Sequence, residues 1–145
     1  MVKILVKKFD KKIKLPSYET LGSSGMDLLA YIKRNIIIYP GKVKIIPTGI
    51  ALVIPKNFEI QIRPRSGLAI KKNISVLNTP GTIDSDYRGE IKIILINMSK
   101  KKFVVRSGDR VAQMVLCPIN KINFKQVKKL PKTIRGKKGF GSTGR

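Results

Sequence analysis

Histidine and tryptophan are both absent from this chain of 145 residues, and cysteine occurs once, at Cys117. Without imidazole there is no Ser-His-Asp or Cys-His nucleophile system, and no histidine-ligated metal centre. A single thiol builds neither a disulfide framework nor a zinc cluster, and Cys117, at the end of the apolar run 111–116, reads as a core residue. Carboxylates are scarce as well: 8 Asp and Glu stand against 31 Lys and Arg, for a formal charge of +23. A general base must therefore come from Asp, Glu, Tyr or Lys, and the list is short. No apolar run approaches the roughly 18 residues that cross a bilayer. The N-terminal segment MVKILVKKFDKK alternates apolar and basic residues like an edge strand and lacks a signal-peptide core. The expectation is one cytoplasmic domain with no membrane segment.

What the chain does have is a succession of short β-prone runs, at 2–6, 36–39, 43–46, 50–54, 58–62, 91–96, 103–105 and 111–116. Turn signals separate them, among them Pro40-Gly41, Pro47-Thr48-Gly49, Pro80-Gly81 and Ser107-Gly108-Asp109. This spacing predicts an all-β sandwich or barrel with one short helix at 66–72. The lysines are scattered along the chain and are not interleaved with aromatics, so nucleic-acid binding is not required to explain them, although a positive field favours the approach of a small polyanion. From about Leu130 the composition shifts to Gly, Lys and Arg. Two readings stand for that stretch: a disordered basic tail, or a mobile arm that closes over an anion. Phe140, for which a flexible tail has no folding need, favours the arm.

Three of the eight acidic residues, Asp84, Asp86 and Glu90, fall within the thirteen residues NTPGTIDSDYRGE that begin at Asn78. A Pro-Gly turn opening into a β run is a rigid support for a base. In GMDLLA, Asp27 interrupts an apolar strand; a buried carboxylate needs a partner, and an ion pair or a water-bridged metal would each serve. In RPRSGLA, Ser66 reads either as a helix N-cap or, with Arg65, as part of an anion contact. Asp109 serves its turn, while Arg110 and Gln113 are either structural or reach phosphate. Gly139, Gly141 and Gly144 match the spacing G-x-G-x-x-G, but no strand precedes them and no helix follows, so the dinucleotide reading fails.

Taken in order, GMDLLAYI from Gly25, PRSGLA from Pro64, NTPGTIDSDYRGE from Asn78, RVAQM from Arg110 and RGKKGFGSTG from Arg135 resemble the five motifs of the trimeric dUTPase family. The resemblance implies a distorted jelly roll or β-barrel spanning 1–129 and a glycine-rich arm at 130–145. It implies a homotrimer with shared active sites, and Mg²⁺-assisted attack of water on the α-phosphate of dUTP. The products are dUMP and pyrophosphate, which limits uracil incorporation into DNA and supplies dUMP for thymidylate synthesis. By resemblance Asp84 is the base that activates water, and Asp27 holds the metal through its waters. Asn78, Gly81, Thr82 and Ile83 form the uracil-reading hairpin, and Tyr87 packs beneath the deoxyribose. Arg65, Ser66, Gly67 and Gln113 are phosphate contacts. Phe140 stacks on uracil, with Arg135, Gly141, Ser142 and Thr143 around the γ-phosphate. The nearest enzyme rival, dCTP deaminase, shares the fold, but the Asp84–Tyr87 spacing and the complete arm favour dUTPase.

Overall fold

A computed structural model describes residues 2–139 of the chain. Its strands in chain order are β1 (Leu5–Lys8), β2 (Met26–Leu29), β3 (Ile36–Ile38), β4 (Val43–Pro47), β5 (Ile50–Val53) and β6 (Phe58–Arg63). After the single helix α1 (Ser66–Lys72) come β7 (Ile74–Val76), β8 (Gly81–Ile83), β9 (Lys92–Asn97), β10 (Phe103–Val105) and β11 (Arg110–Pro118). All pairings are antiparallel, in a four-stranded sheet ordered β2-β11-β6-β8, a three-stranded sheet β4-β9-β7, and the ribbons β1-β5 and β10-β3. The all-β expectation is met, and the helix falls where the sequence put it. Among the described residues the sheets are jelly-roll-like and do not join into a closed barrel, consistent with the expected distorted jelly roll.

Period-two patterning explains the layers. In β9, Ile93, Leu95 and Asn97 point inward and are fully buried, while Lys92 is exposed. In β6, Ile60 and Ile62 face the core and alternate with Glu59, Gln61 and Arg63. These side chains pack with Leu28, Ile38, Ile46 and Val105 into one core between the sheets. Strand β8 is not among the β-prone runs, because Gly81-Thr82-Ile83 is too short to show alternation; β6 recruits it by pairing Ile60 with Ile83 and Ile62 with Gly81. Strand β7 was missed for the same reason. The first strand also begins later than read, at Leu5, where pairing with β5 starts.

Two sequence readings need correction. Cys117 is only partly buried, on β11 beside Arg63, because its position in the alternation puts it opposite Glu59 on the open face of the sheet. The residue flanking α1 at its N-terminus is Arg65, in extended conformation and without a side-chain cap, so Ser66 is the first helical residue rather than the cap. The helix stops where Asn73 adopts the left-handed conformation, with φ 51°, which asparagine tolerates better than most residues.

The N-terminal segment is pinned by two contacts. Tyr31 donates its hydroxyl proton to the Asp10 carboxylate, which also accepts from the Lys12 amide. The tyrosine bond is the main cause, and the Lys12 amide the next, of an Asp10 carboxyl held below its usual range; in turn that bond raises Tyr31. A depressed carboxyl stabilises the fold above its ordinary pKa and loses that contribution as pH falls through the lowered value. In Tyr31→Phe, an NMR titration should find the Asp10 pKa moved upward toward the ordinary carboxylate value; an unmoved titration would disprove the coupling.

The second contact is Gly49, whose φ of +70° lies in the left-handed region and whose missing side chain makes room for Ile13 and Tyr31. A Cβ there would collide with Ile13, whereas one at Gly22 would meet nothing within 4 Å. Gly49→Ala should therefore lower unfolding free energy by about 1–3 kcal/mol in urea titration. Gly22→Ala should stay within about 0.5 kcal/mol of the parent.

Candidate active site

Strand β6 joins two groups of candidate residues, one at each end. At its C-terminal end, Gln113 on β11 stands in register with Arg63 on one side and with Asp27 of β2 on the other. Beyond Arg63 the chain turns through Pro64, and Arg65 reaches back so that its Nε lies 2.9 Å from Asp27 Oδ1. Arg110 approaches the other carboxylate oxygen, Nη1 to Oδ2, at 3.3 Å, and its Nη2 is 3.2 Å from Glu19 Oε1. With its side chain only 13% exposed, Asp27 needs such partners. The ion-pair reading is thus realised, with two arginines as partners. Asp27 thus faces two guanidinium groups and Glu19 takes the second nitrogen of Arg110, so the four charges balance while two guanidinium groups stand together where an anion could be met. Gly25 lets Gln113 lie flat, since a Cβ there would come within 3.1 Å of Gln113 Oε1. Ser66 and Gly67 are exposed at the start of α1.

The other group gathers where β8 ends. Asp84 is exposed directly after Ile83, and the chain then turns, the Tyr87 amide donating to the Asp84 carbonyl at 3.1 Å. The Tyr87 hydroxyl donates to the Glu90 carbonyl at 3.0 Å, laying the ring across Gly89, where a Cβ would collide with the tyrosine oxygen and displace the ring. Arg88 locks the turn by donating to the carbonyls of Ser85 and Tyr87. Glu90, part of the acidic cluster, is structural: its Oε1 accepts from the Gly49 amide at 2.8 Å. Thr82, Ile83, Asp84 and Tyr87 line a groove of about 180 Å³ with Glu90 and Lys92. Asn78 lies over Gly81, where a Cβ would approach its Nδ2 to 3.0 Å, and the intervening Thr79–Pro80 peptide is cis. Among the described residues no hydrogen bond or ion pair engages the Asp84 carboxylate.

Register shows that one chain does not bring the two groups together. Ile83 pairs with Ile60, so Asp84 emerges near Glu59, whereas Gln113 and Asp27 align with Arg63. Four residues along β6 span about 13 Å, and β8 and β11 lie on opposite sides of it, about 10 Å apart. The separation between Asp84 and the Asp27 cluster is then more than about 15 Å. Arg135, in the exposed stretch that follows β11, donates from Nε to the Lys138 carbonyl at 3.0 Å. Phe140, Gly141, Ser142 and Thr143 lie outside the described residues. No group of three His, Cys, Asp or Glu side chains converges on a possible cation among the described residues. The partner role of Arg110, left open by sequence reasoning, had one available signal: a buried carboxylate in an arginine-rich chain.

A family model described as dUTPase matches residues 11–144. Among curated relatives, a deoxyuridine 5'-triphosphate nucleotidohydrolase of Rickettsia canadensis is 56% identical over 130 residues, covering 90% of this chain and 88% of the relative. One of the same name from Hydrogenobaculum is 50% identical over 143 residues, covering 99% of each chain. Solved dUTPase structures share the fold. The Staphylococcus bacteriophage 80alpha enzyme with dUpNHpp superposes with a TM-score of 0.85 at 24% identity, covering 100% of both chains. A phage phi11 mutant, described as revealing the coordination of a structural Mg(II) ion, gives 0.81 at 20% identity over 90% of this chain and 100% of that one. The motif order, the jelly-roll sheets and these likenesses lead to one conclusion: the chain belongs to the dUTPase family and is a nucleotide pyrophosphohydrolase of that kind.

Proposed function

We propose that the chain hydrolyses dUTP to dUMP and pyrophosphate in a homotrimer whose active sites are shared, with Asp84 of one copy facing the Asp27–Arg65–Gln113 cluster of another. One observation carries the sharing: the register of β6 holds the two groups too far apart in a single chain to meet at one triphosphate. The unpaired, exposed Asp84 takes the proton of a water as its oxygen bonds to the α-phosphorus; the bond to the bridging oxygen breaks, and pyrophosphate leaves. Arg65, Ser66, Gly67 and Gln113 neutralise and position the phosphates.

The hairpin of Asn78, Gly81, Thr82 and Ile83 reads uracil through its backbone, and Tyr87, fixed over Gly89, walls off a 2′-hydroxyl. The arm at 130–145 closes with Phe140 over the base and with Arg135, Gly141, Ser142 and Thr143 around the γ-phosphate, excluding bulk water.

The donor set fits Mg²⁺ held by the triphosphate and touched by Asp27 only through water. Asp27 already serves two guanidinium groups, Glu19 is paired with Arg110, and Mg²⁺ keeps several waters when phosphates supply its oxygens. When bound, the ion would neutralise charge on the phosphates. Family membership supports a role in clearing dUTP from DNA precursors and supplying dUMP, which we place in the cytoplasm.

Asp84→Asn should bind a non-hydrolysable dUTP analogue nearly as well as the parent while pyrophosphate release slows about 10²–10⁴-fold. Turnover like the parent's would remove Asp84 from the base role. Truncation before Arg135 should leave the melting temperature and the number of copies in the oligomer unchanged yet abolish most activity, because residues 120–138 are exposed and contribute nothing to the core. Loss of folding on truncation would contradict the arm as a separable closure.

A further inference from the structure

We infer that a cationic groove at the C-terminal end of α1 is a second anion site, one that takes the phosphodiester backbone of a nucleic acid. It stands independently of the dUTPase reading. The groove, about 820 Å³, is lined by eleven residues, of which six are cations: Lys71, Lys72, Lys100, Lys101, Lys102 and Arg106. Six in eleven far exceeds the 31 in 145 of the whole chain, so a general lysine bias does not account for it. None of the eight carboxylates is in the lining, and among the described residues no ion pair neutralises any of the six. A comparable groove elsewhere, near Lys56, Arg88 and Lys121, carries Asp86 among its cations.

The lysines stand on a fixed support. Asn97 is fully buried, and its side-chain amide donates to the carbonyls of Ile38 and Lys101 while its oxygen accepts from the amide and the hydroxyl of Ser99. That network shapes the turn from which Lys100, Lys101 and Lys102 project. The Met98 amide donates to the Asn73 carbonyl at 2.9 Å, which joins this turn to the end of α1 and to Lys71 and Lys72. Like charges assembled within a Debye length repel one another, and a polyanion relieves that repulsion. A concave site with cations from two elements suits a phosphate backbone threading between them. Phe103 is the groove's only aromatic residue and is partly buried, so base stacking contributes little and binding is indifferent to sequence.

Fluorescence anisotropy with a labelled, mixed-sequence DNA duplex tests this on the full-length protein. The variant Lys100→Gln/Lys101→Gln/Lys102→Gln/Arg106→Gln changes only exposed side chains and should keep its melting temperature and dUTP turnover. Its duplex affinity should fall by about tenfold or more, and the slope of log K against log salt should flatten by about 3. A charge-matched control, Lys3→Gln/Lys44→Gln/Lys56→Gln/Lys125→Gln, should lose far less. Equal losses in the two variants would reduce the effect to net charge and overturn the assignment, as would undetectable binding by the parent. Stronger dependence of phosphatidylserine-vesicle binding than of duplex binding on the four groove residues would give the surface to membranes instead, and would equally defeat it.

Discussion

Strand β6 sits between β11 and β8, with Ile60 and Ile62 driven into the core and their neighbours Glu59, Gln61 and Arg63 left on the open face. Because side chains alternate with a period of two, a slip of one residue would bury an arginine and expose two isoleucines, a penalty of several kcal/mol. The apolar pattern therefore fixes the register. The register in turn sets Gln113 against Asp27 at one end of the sheet and delivers Asp84 at the other. Packing that has nothing to do with phosphates thus decides where Gln113, Asp27 and Asp84 stand, and under the proposed function it is why a complete site calls for more than one copy of the chain.

Electrostatics works within that frame. In a chain carrying +23, a carboxylate is a scarce resource, and each of the best-placed ones has a distinct employment. Asp27 orders two arginines that would otherwise repel each other, Glu90 ties the turn after β8 to Gly49, and Asp10 fastens the N-terminal segment through Tyr31. Asp109 accepts from the Arg106 amide and closes its turn, as its sequence context indicated. Asp84 differs from these in remaining free and exposed, which is what a proton acceptor for an incoming water requires.

Much of this was legible in the residues, for identifiable reasons. Long alternating runs such as 58–62 and 91–96 announce themselves because burial acts on every second side chain. Helix 66–72 was legible because no β run competes with it. Strands β7 and β8 were not, since three residues carry no period and only pairing with neighbours makes them strands. The Asp27 partnership was half legible: desolvation demands a counter-charge, but which arginine provides it depends on how the chain turns 38 and 83 positions later. Cys117 misled because adjacency to apolar residues says nothing about which side of a sheet a side chain takes. The separation of Asp84 from the Asp27 cluster was visible only through strand register, never through composition.

The scaffold under the lysine turn has a wider bearing. Three of the four bonds made by the Asn97 side chain go to main-chain atoms, at Ile38, Lys101 and Ser99, and the fourth to the Ser99 hydroxyl. The side chains of positions 100 to 102 take no part in holding that loop. Its shape is therefore insulated from its charge: descendants of this protein can recolour the loop, basic to neutral to acidic, with little toll on folding, and so gain or shed an anionic partner without disturbing the enzyme it is mounted on.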